Sequence, residues 1–336
     1  MVLIGQKMRA LCLPLSRRAF LGAMALAGAS PARAAPAIRL AAQKTGTFAW
    51  ELDVIADRGL DKAAEVAIET AEFASPQAAE LALLAGQVDI IISDWLYVSR
   101  ARSLGKRLTF YPYSSAIGAI MTPPTSAIAS LGDLKGKTLA VAGGPLDKSW
   151  LIVQGAALRD GLDLKTEASI VYGAPSLLAA KARQGEFAAS LNFWNFCAEL
   201  EAEGFHRLVG VEELAMRLGA TGPLTNLGYV FNEDWARRNE GMLARFLEMT
   251  RKAKDILAET PEEWERLKPR LNLRDAGALT VLRQRYSQGI PRRSVEAEEA
   301  DARTLYALLA RLGGAELVGK ASELDPGTFY KIGKGG

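Results

Sequence analysis

Residues 75–95, SPQAAELALLAGQVDIIISDW, align without a gap on residues 174–194, APSLLAAKARQGEFAASLNFW. Pro76 falls on Pro175, Gly86 on Gly185 and Trp95 on Trp194. Each copy reads as a helix opened by a proline, whose missing N–H costs nothing in a first turn, then a glycine stop, a short buried strand and a tryptophan just past the strand. Upstream, strand Ile38–Gln43, a loop with Gly46 and a helix ending at Gly59-Leu60-Asp61 parallel strand Thr138–Ala142, the Gly143-Gly144 loop and a helix ending at Gly161-Leu162-Asp163. Phe48, Leu52 and Ile55 recur at helical spacing in the first helix, as Leu151, Gly155 and Leu158 do in the second. Strand and helix alternating through two similar units predict an α/β fold of two duplicated lobes with mostly parallel sheets, because a parallel crossover needs a helix between its strands.

Between the two units, residues 107–122 (RLTFYPYSSAIGAIMT) read as two strands with Ser114-Ser115 at the bend, and Leu227–Phe231 as another short strand. These are the expected crossings, with hinge candidates at 113–118 and 227–231. The first lobe is expected to span 35–115 plus 229–336, carrying the C-terminal helices, and the second 116–228. From Asn232 the pattern turns helical: Asn232 or Asp234 can cap a helix to about Leu257, followed by helices at 261–271, 274–286 and 294–312.

Ser16-Arg17-Arg18-Ala19-Phe20-Leu21 is a twin-arginine pattern, followed by the apolar run 19–29 and the small-residue site Ala32-Arg33-Ala34. Residues 1–34 therefore read as an export signal, with Met8 an alternative start, and the periplasm as the expected destination. The apolar stretch is too short to remain in a bilayer, so no stable membrane insertion is expected. The net charge of +3 is local to this segment: Lys7, Arg9, Arg17, Arg18 and Arg33 occur there with no acid. Removing those five from the 41 basic residues leaves 36 against 38 acidic ones, a net of −2, which gives nucleic acid no electrostatic footing. With the signal removed, Cys197 is the only cysteine, which excludes an intramolecular disulfide. Stability must come from the core, and 49% hydrophobic residues in 336 supply one or two.

Ligands of open parallel sheets sit beyond the carboxyl ends of the strands. Those ends nominate Thr45, Thr47, Trp50, Ser93, Asp94 and Trp95 from the first lobe, and Gly144, Lys148, Ser149, Trp150, Tyr172, Asn192, Trp194 and Asn195 from the second. Four of the six tryptophans fall there, either as walls of a small-molecule pocket or as packing between lobes. The stretch AVAGGPLDKSW, 140–150, fails as a nucleotide loop: counting back from Lys148-Ser149 puts Asp147 and Ala142 where G-x-x-x-x-G-K-[ST] needs glycines. Two readings of this helix start stand: Asp147 caps it while Lys148 points to water, or its N–H groups and Lys148 grip an anion or a polar carbonyl. Asp94 likewise either caps the helix 95–104 or faces a cationic group of the ligand, Ser93 being able to take the cap. The single histidine, His206, opens a strand, and no zinc-ligand spacing or G-x-S-x-G elbow occurs. Neither a catalytic group nor a cofactor is assigned.

The TGTFAW loop, SPQAAELALLAGQVDIIISDW, SLGDLKGKTLAVAGGPLDKSW and NFWNF together resemble ABC-transporter substrate-binding proteins of the nitrate, sulfonate/taurine and thiamine-pyrimidine branch. The resemblance implies a two-lobe periplasmic binding fold (type II) that closes over a small organic or anionic solute and delivers it to permease subunits. ATP hydrolysis would then lie in another chain. Related eukaryotic pyrimidine-forming enzymes use a histidine and a cysteine-rich motif absent here, so an exported enzyme acting on a small heterocyclic or anionic metabolite is the alternative.

Overall fold

The computed structural model describes residues 37–43, 46–271, 273 and 277–333. The export-signal reading, Lys44, Thr45 and the start of the 274–286 helix lie outside them. In chain order the first half holds β1 (Ile38–Gln43), α1 (Phe48–Asp57), α2 (Leu60–Ala63), β2 (Ile68–Phe73), α3 (Pro76–Leu84), β3 (Ile90–Asp94), α4 (Trp95–Ser103) and β4 (Leu108–Ser114). The second holds β5 (Gly118–Thr122), β6 (Thr138–Ala142), α5 (Lys148–Arg159), α6 (Leu164–Glu167), β7 (Ser169–Gly173), α7 (Pro175–Arg183), β8 (Ala189–Phe193), α8 (Trp194–Ala202), β9 (His206–Gly210) and α9 (Val211–Arg217). Then come β10 (Leu227–Asn232), α10 (Glu233–Arg238), α11 (Glu240–Glu259), α12 (Pro261–Leu271), α13 (Ala278–Gln288) and α14 (Val295–Val318).

The repeat is structural as well as sequential: the bounds of α3, β3 and α4 reappear in α7, β8 and α8 with the same offset as the aligned segments. Ser75 caps α3 by accepting from the N–H of Ala78, and Pro76 occupies the first turn, as Pro175 does in α7. One sheet has the order β2-β1-β3-β10-β4 and the other β7-β6-β8-β5-β9, so each is the same design. In each, four strands run the same way, while the fifth, β10 or β5, pairs antiparallel on both sides. The sheets are thus mixed, mostly parallel with one reversed strand.

The two crossings are the short link 115–117 and the segment 218–226. The hinge candidate 227–231 lies inside the first sheet, directly after the second crossing and hydrogen-bonded to β3 and β4. Asn232 does cap, taking the N–H groups of Asp234 and Trp235, but the expected long helix breaks at Asn239 into α10 and α11.

The C-terminal helices serve both lobes rather than the first alone. Arg285 of α13 makes a two-pronged ion pair with Glu201 of α8. Helix α14 packs on α4 and α5, and its buried Leu305, Tyr306 and Leu309 join an apolar core drawn from both lobes. A second core sets the first sheet against α11, α12 and α13, and takes in Trp194 and Ala198 of α8. Among the described residues no helix is long and apolar enough to cross a membrane.

Candidate functional site

Three strands end facing the space between the lobes: β1 leads into α1, β3 into α4 and β8 into α8. Thr47, Glu51, Tyr113, Ser114, Trp194, Lys254, Tyr286, Gly289 and Ile290 line a small hollow of about 10 Å3, part of it open to solvent. Its wall has contributions from the first lobe, the second lobe and the tail.

Helix α1 explains the polar floor. Glu51 falls one turn from Phe48 on the buried stripe, and its carboxylate is fully buried. One carboxylate oxygen, Oε1, accepts from the Lys254 ammonium of α11 and, at 2.8 Å, from the Tyr286 hydroxyl of α13. The Lys254 ammonium lies 3.7 Å from the centre of the Tyr113 ring, a cation–π contact strengthened by the dry surroundings. Burial pulls Lys254 below its ordinary pKa, against the opposing pull of Glu51. Burial likewise drives the Tyr113 and Tyr286 hydroxyls well above theirs, with the Glu51 carboxylate adding to it.

The aromatic wall is a chain of edge contacts. Trp50 meets Trp194 at 5.8 Å and Trp264 at 5.6 Å between ring centres, and Trp264 meets Tyr286 at 5.5 Å. Trp50, half-buried, belongs to the first lobe and Trp194 to the second, so this pair bridges them.

Nearby, Asp94 and Lys148 join the lobes by an ion pair of 2.8 Å. Asp94 takes the capping role: Oδ1 caps α4 through the N–H of Tyr97 at 2.8 Å, while Oδ2 is held by this chain's own Lys148 rather than facing a ligand. Ser93 does not cap; its hydroxyl donates to Glu80 at 2.8 Å. Burial raises Glu80 above the ordinary carboxylate range, the Ser93 bond opposing it. Burial would lower Lys148, but Asp94 and Asp147 outweigh it and hold the ammonium charged.

At the helix start, Asp147 caps α5. The Asp147 carboxylate takes the N–H groups of Ser149 at 2.9 Å and Trp150 at 3.4 Å, so these donors are not free for an anion. It folds back over Gly143, whose positive φ of 87° a side chain would strain and where a Cβ would meet Asp147 Oδ2 at 2.9 Å. Gly144 only closes the turn, its carbonyl accepting from Asp147. Lys148 turns to the Asp94 carboxylate.

The tryptophan expectation needs correction. Trp95 and Trp150 have no exposed surface; Trp95 packs 6.5 Å from Tyr306 of α14, and Trp150 donates its indole N–H to Tyr172 at 3.1 Å. Their positions in a first helical turn aim them back under the strand ends, where α14 completes the enclosure. Asn192 is also committed, its amide donating to Pro175 O and its oxygen accepting from the N–H of Phe193. Ser149 is buried in the α5 cap, Tyr172 is an exposed edge residue, and Asn195 is half-buried in the first turn of α8. Of the nominated residues, Thr47 and Trp194 line the hollow, with Trp50 against Trp194. Glu51, Tyr113, Lys254 and Tyr286 were not nominated. The available signal was a charged residue on an apolar face: Glu51 beside Phe48 and Ile55, and Lys254 among Leu247, Thr250 and Leu257. Among the described residues no group of three or more His, Cys, Asp or Glu side chains is placed to hold a metal ion.

Two α/β lobes of one design, joined by two crossings around a shared hollow, define the two-lobe binding-protein class of fold. The family described as NMT1/THI5 like matches residues 54–264, and the chain belongs to that family. The periplasmic aliphatic sulphonate binding protein SsuA from Escherichia coli is similar in structure, with TM-score 0.67 and 20% identity over 88% of this chain and 94% of that one. The alkanesulfonate-binding protein SsuA from Xanthomonas axonopodis pv. citri, bound to MOPS, gives 0.64 and 19% over 85% and 97%. An ABC transporter protein from Parabacteroides distasonis gives 0.67 and 13% over 88% and 99%. No curated protein sequence matches the chain.

Proposed function

We propose that this chain is the extracytoplasmic solute-binding component of an ABC importer. It captures a small solute between its lobes and presents the closed form to permease subunits in the inner membrane. The observation that carries the reading is the shared wall, with Thr47 and Glu51 from one lobe facing Trp194 from the other. A solute touching both lobes favours closure because half of its contacts exist only in the closed form. Export by the twin-arginine signal to the periplasm belongs to the same reading. Binding without turnover does too: the Cys197 thiol is fully buried and pushed up to about 12 by that burial, so it is no nucleophile.

The test is mass spectrometry of small molecules released on denaturing the purified protein, followed by titration of the released compound while tryptophan fluorescence is read. Saturable change with the compound recovered intact is the expected result. Conversion of the compound, or no released molecule and no response to any solute offered, would refute the proposal.

A further inference from the structure

Both crossings between the lobes are held by one stretch of the tail, residues 289–301, which joins the end of α13 to the first turns of α14. On the first crossing, the backbone N–H of Ser115 donates to the Gly289 carbonyl at 2.9 Å, and the Ser115 hydroxyl donates to the same oxygen at 3.3 Å. The approach is close: a Cβ at Gly289 would lie 2.9 Å from the Ala116 backbone nitrogen. On the second crossing, the buried Asp301 of α14 accepts from the Thr221 N–H at 2.9 Å and from its hydroxyl at 3.1 Å. The Arg293 guanidinium donates to Asp301 and to the Thr221 hydroxyl, both at 2.7 Å. Glu298, fully buried one turn before Asp301, accepts from the Thr225 N–H at 2.7 Å. Hydrogen bonds to charged groups are the stronger kind, so the second crossing is held more firmly than an ordinary loop.

We propose that residues 289–301 form a clip that fixes the hinge axis of the two lobes. A body held at one point can turn about any line through it; held at two, it keeps a single rotation about the line joining them. With Ser115 and the stretch from Thr221 to Thr225 pinned to one segment, opening becomes such a rotation, and the strand ends of the two lobes part and return in register. Gly289 lets two backbones approach, and Asp301 with Arg293 gives the crossing's backbone a fixed partner in place of water. The inference concerns how the lobes move and does not depend on which solute they take.

Amide hydrogen exchange and the distance between two spin labels test this on the purified protein. Gln77 and Ser176 are exposed at matching positions of the repeat, in the first turns of α3 and α7, so Gln77→Cys and Ser176→Cys carry the labels while Cys197 stays buried. Asp301→Ala breaks the second tie, and Gly289→Ala wedges the first at a φ of −84° that alanine accepts. Each variant should speed exchange by about 10-fold or more at its own crossing and by about 3-fold or more at the other, while the amides of β1 and β6 keep the unmodified rate. Label distances should form one or two narrow peaks in the unmodified protein and spread in both variants.

Exchange that rises at one crossing alone, or label distances equally narrow in variants and unmodified protein, would overturn the clip and leave solute capture standing. Exchange that rises equally throughout the chain is plain loss of stability and also overturns it. If Asp301→Ala does not fold, Thr221→Ala replaces it, since Thr221 is exposed and its loss spares the Arg293–Asp301 pair.

Discussion

Lys148→Met removes one half of the Asp94–Lys148 pair that spans the lobes while sparing the helix caps on both sides, since Asp94 Oδ1 still holds Tyr97 and Asp147 still holds Ser149. The Asp94 and Lys148 side chains retain 15% and 23% of their surface, which places the pair between two limits. An exposed pair is worth about 0–1 kcal/mol, and breaking a fully buried one costs about 3–5. A loss of about 1–2 kcal/mol from the closed form is therefore expected, moving the closed-to-open ratio by about 5- to 30-fold. Small-angle scattering reads the shift as an increased radius of gyration, and solute affinity should fall by the same factor if closure limits it. The folded pKa of Lys148 lies above its ordinary 10.5, so the contribution is fully present below that value and is lost as pH rises through the folded one. The unmodified protein should therefore open at strongly alkaline pH. Identical scattering curves for variant and unmodified protein, at low and high salt alike, would refute the latch.

Three further outcomes are expected. A Cβ at Gly118 would lie 2.0 Å from the Asn192 carbonyl oxygen, so Gly118→Ala should cost about 2 kcal/mol or more in denaturant unfolding; an unchanged midpoint would contradict the close approach. Burial raises Glu80 above its ordinary 4.5, so its ionised form penalises the fold at neutral pH and the penalty fades as pH falls through the folded value toward 4.5. Glu80→Gln should then melt above the unmodified protein at pH 7 and match it near 4.5; a gap that widens on acidification would reverse the sign. Cys197 should resist a thiol reagent at pH 8 until the chain is unfolded, and rapid labelling of the native protein would disprove its burial.

How much of this was legible beforehand depends on sequence distance. The helix–strand–helix repeat was readable because proline, glycine and apolar alternation act within a few residues, and α7, β8 and α8 begin where the offset from α3, β3 and α4 puts them. The fate of Trp95 was not readable, because its neighbour Tyr306 arrives from α14, far along the chain. The burial of Glu51 was not readable either, because Lys254 and Tyr286, which make burying a carboxylate tolerable, are supplied by α11 and α13. Local pattern thus located the strand ends, while the tail decided which side chains at those ends face solvent.

The insertion of β10 between β3 and β4 also governs how the chain can fold. Until β10 is made, β3 keeps an unpaired edge of Ile90, Ile91 and Ile92, and β4 has no sheet to join. The second sheet has no such dependence, since all of its strands, β5 to β9, lie within 118–210. The first sheet therefore cannot mature until the second lobe has been made. Folding should be slow for a chain rich in local helices, and its intermediates should expose a sticky strand edge during synthesis. A fragment ending before residue 227 is expected to aggregate, whereas restoring β10 in trans should rescue it.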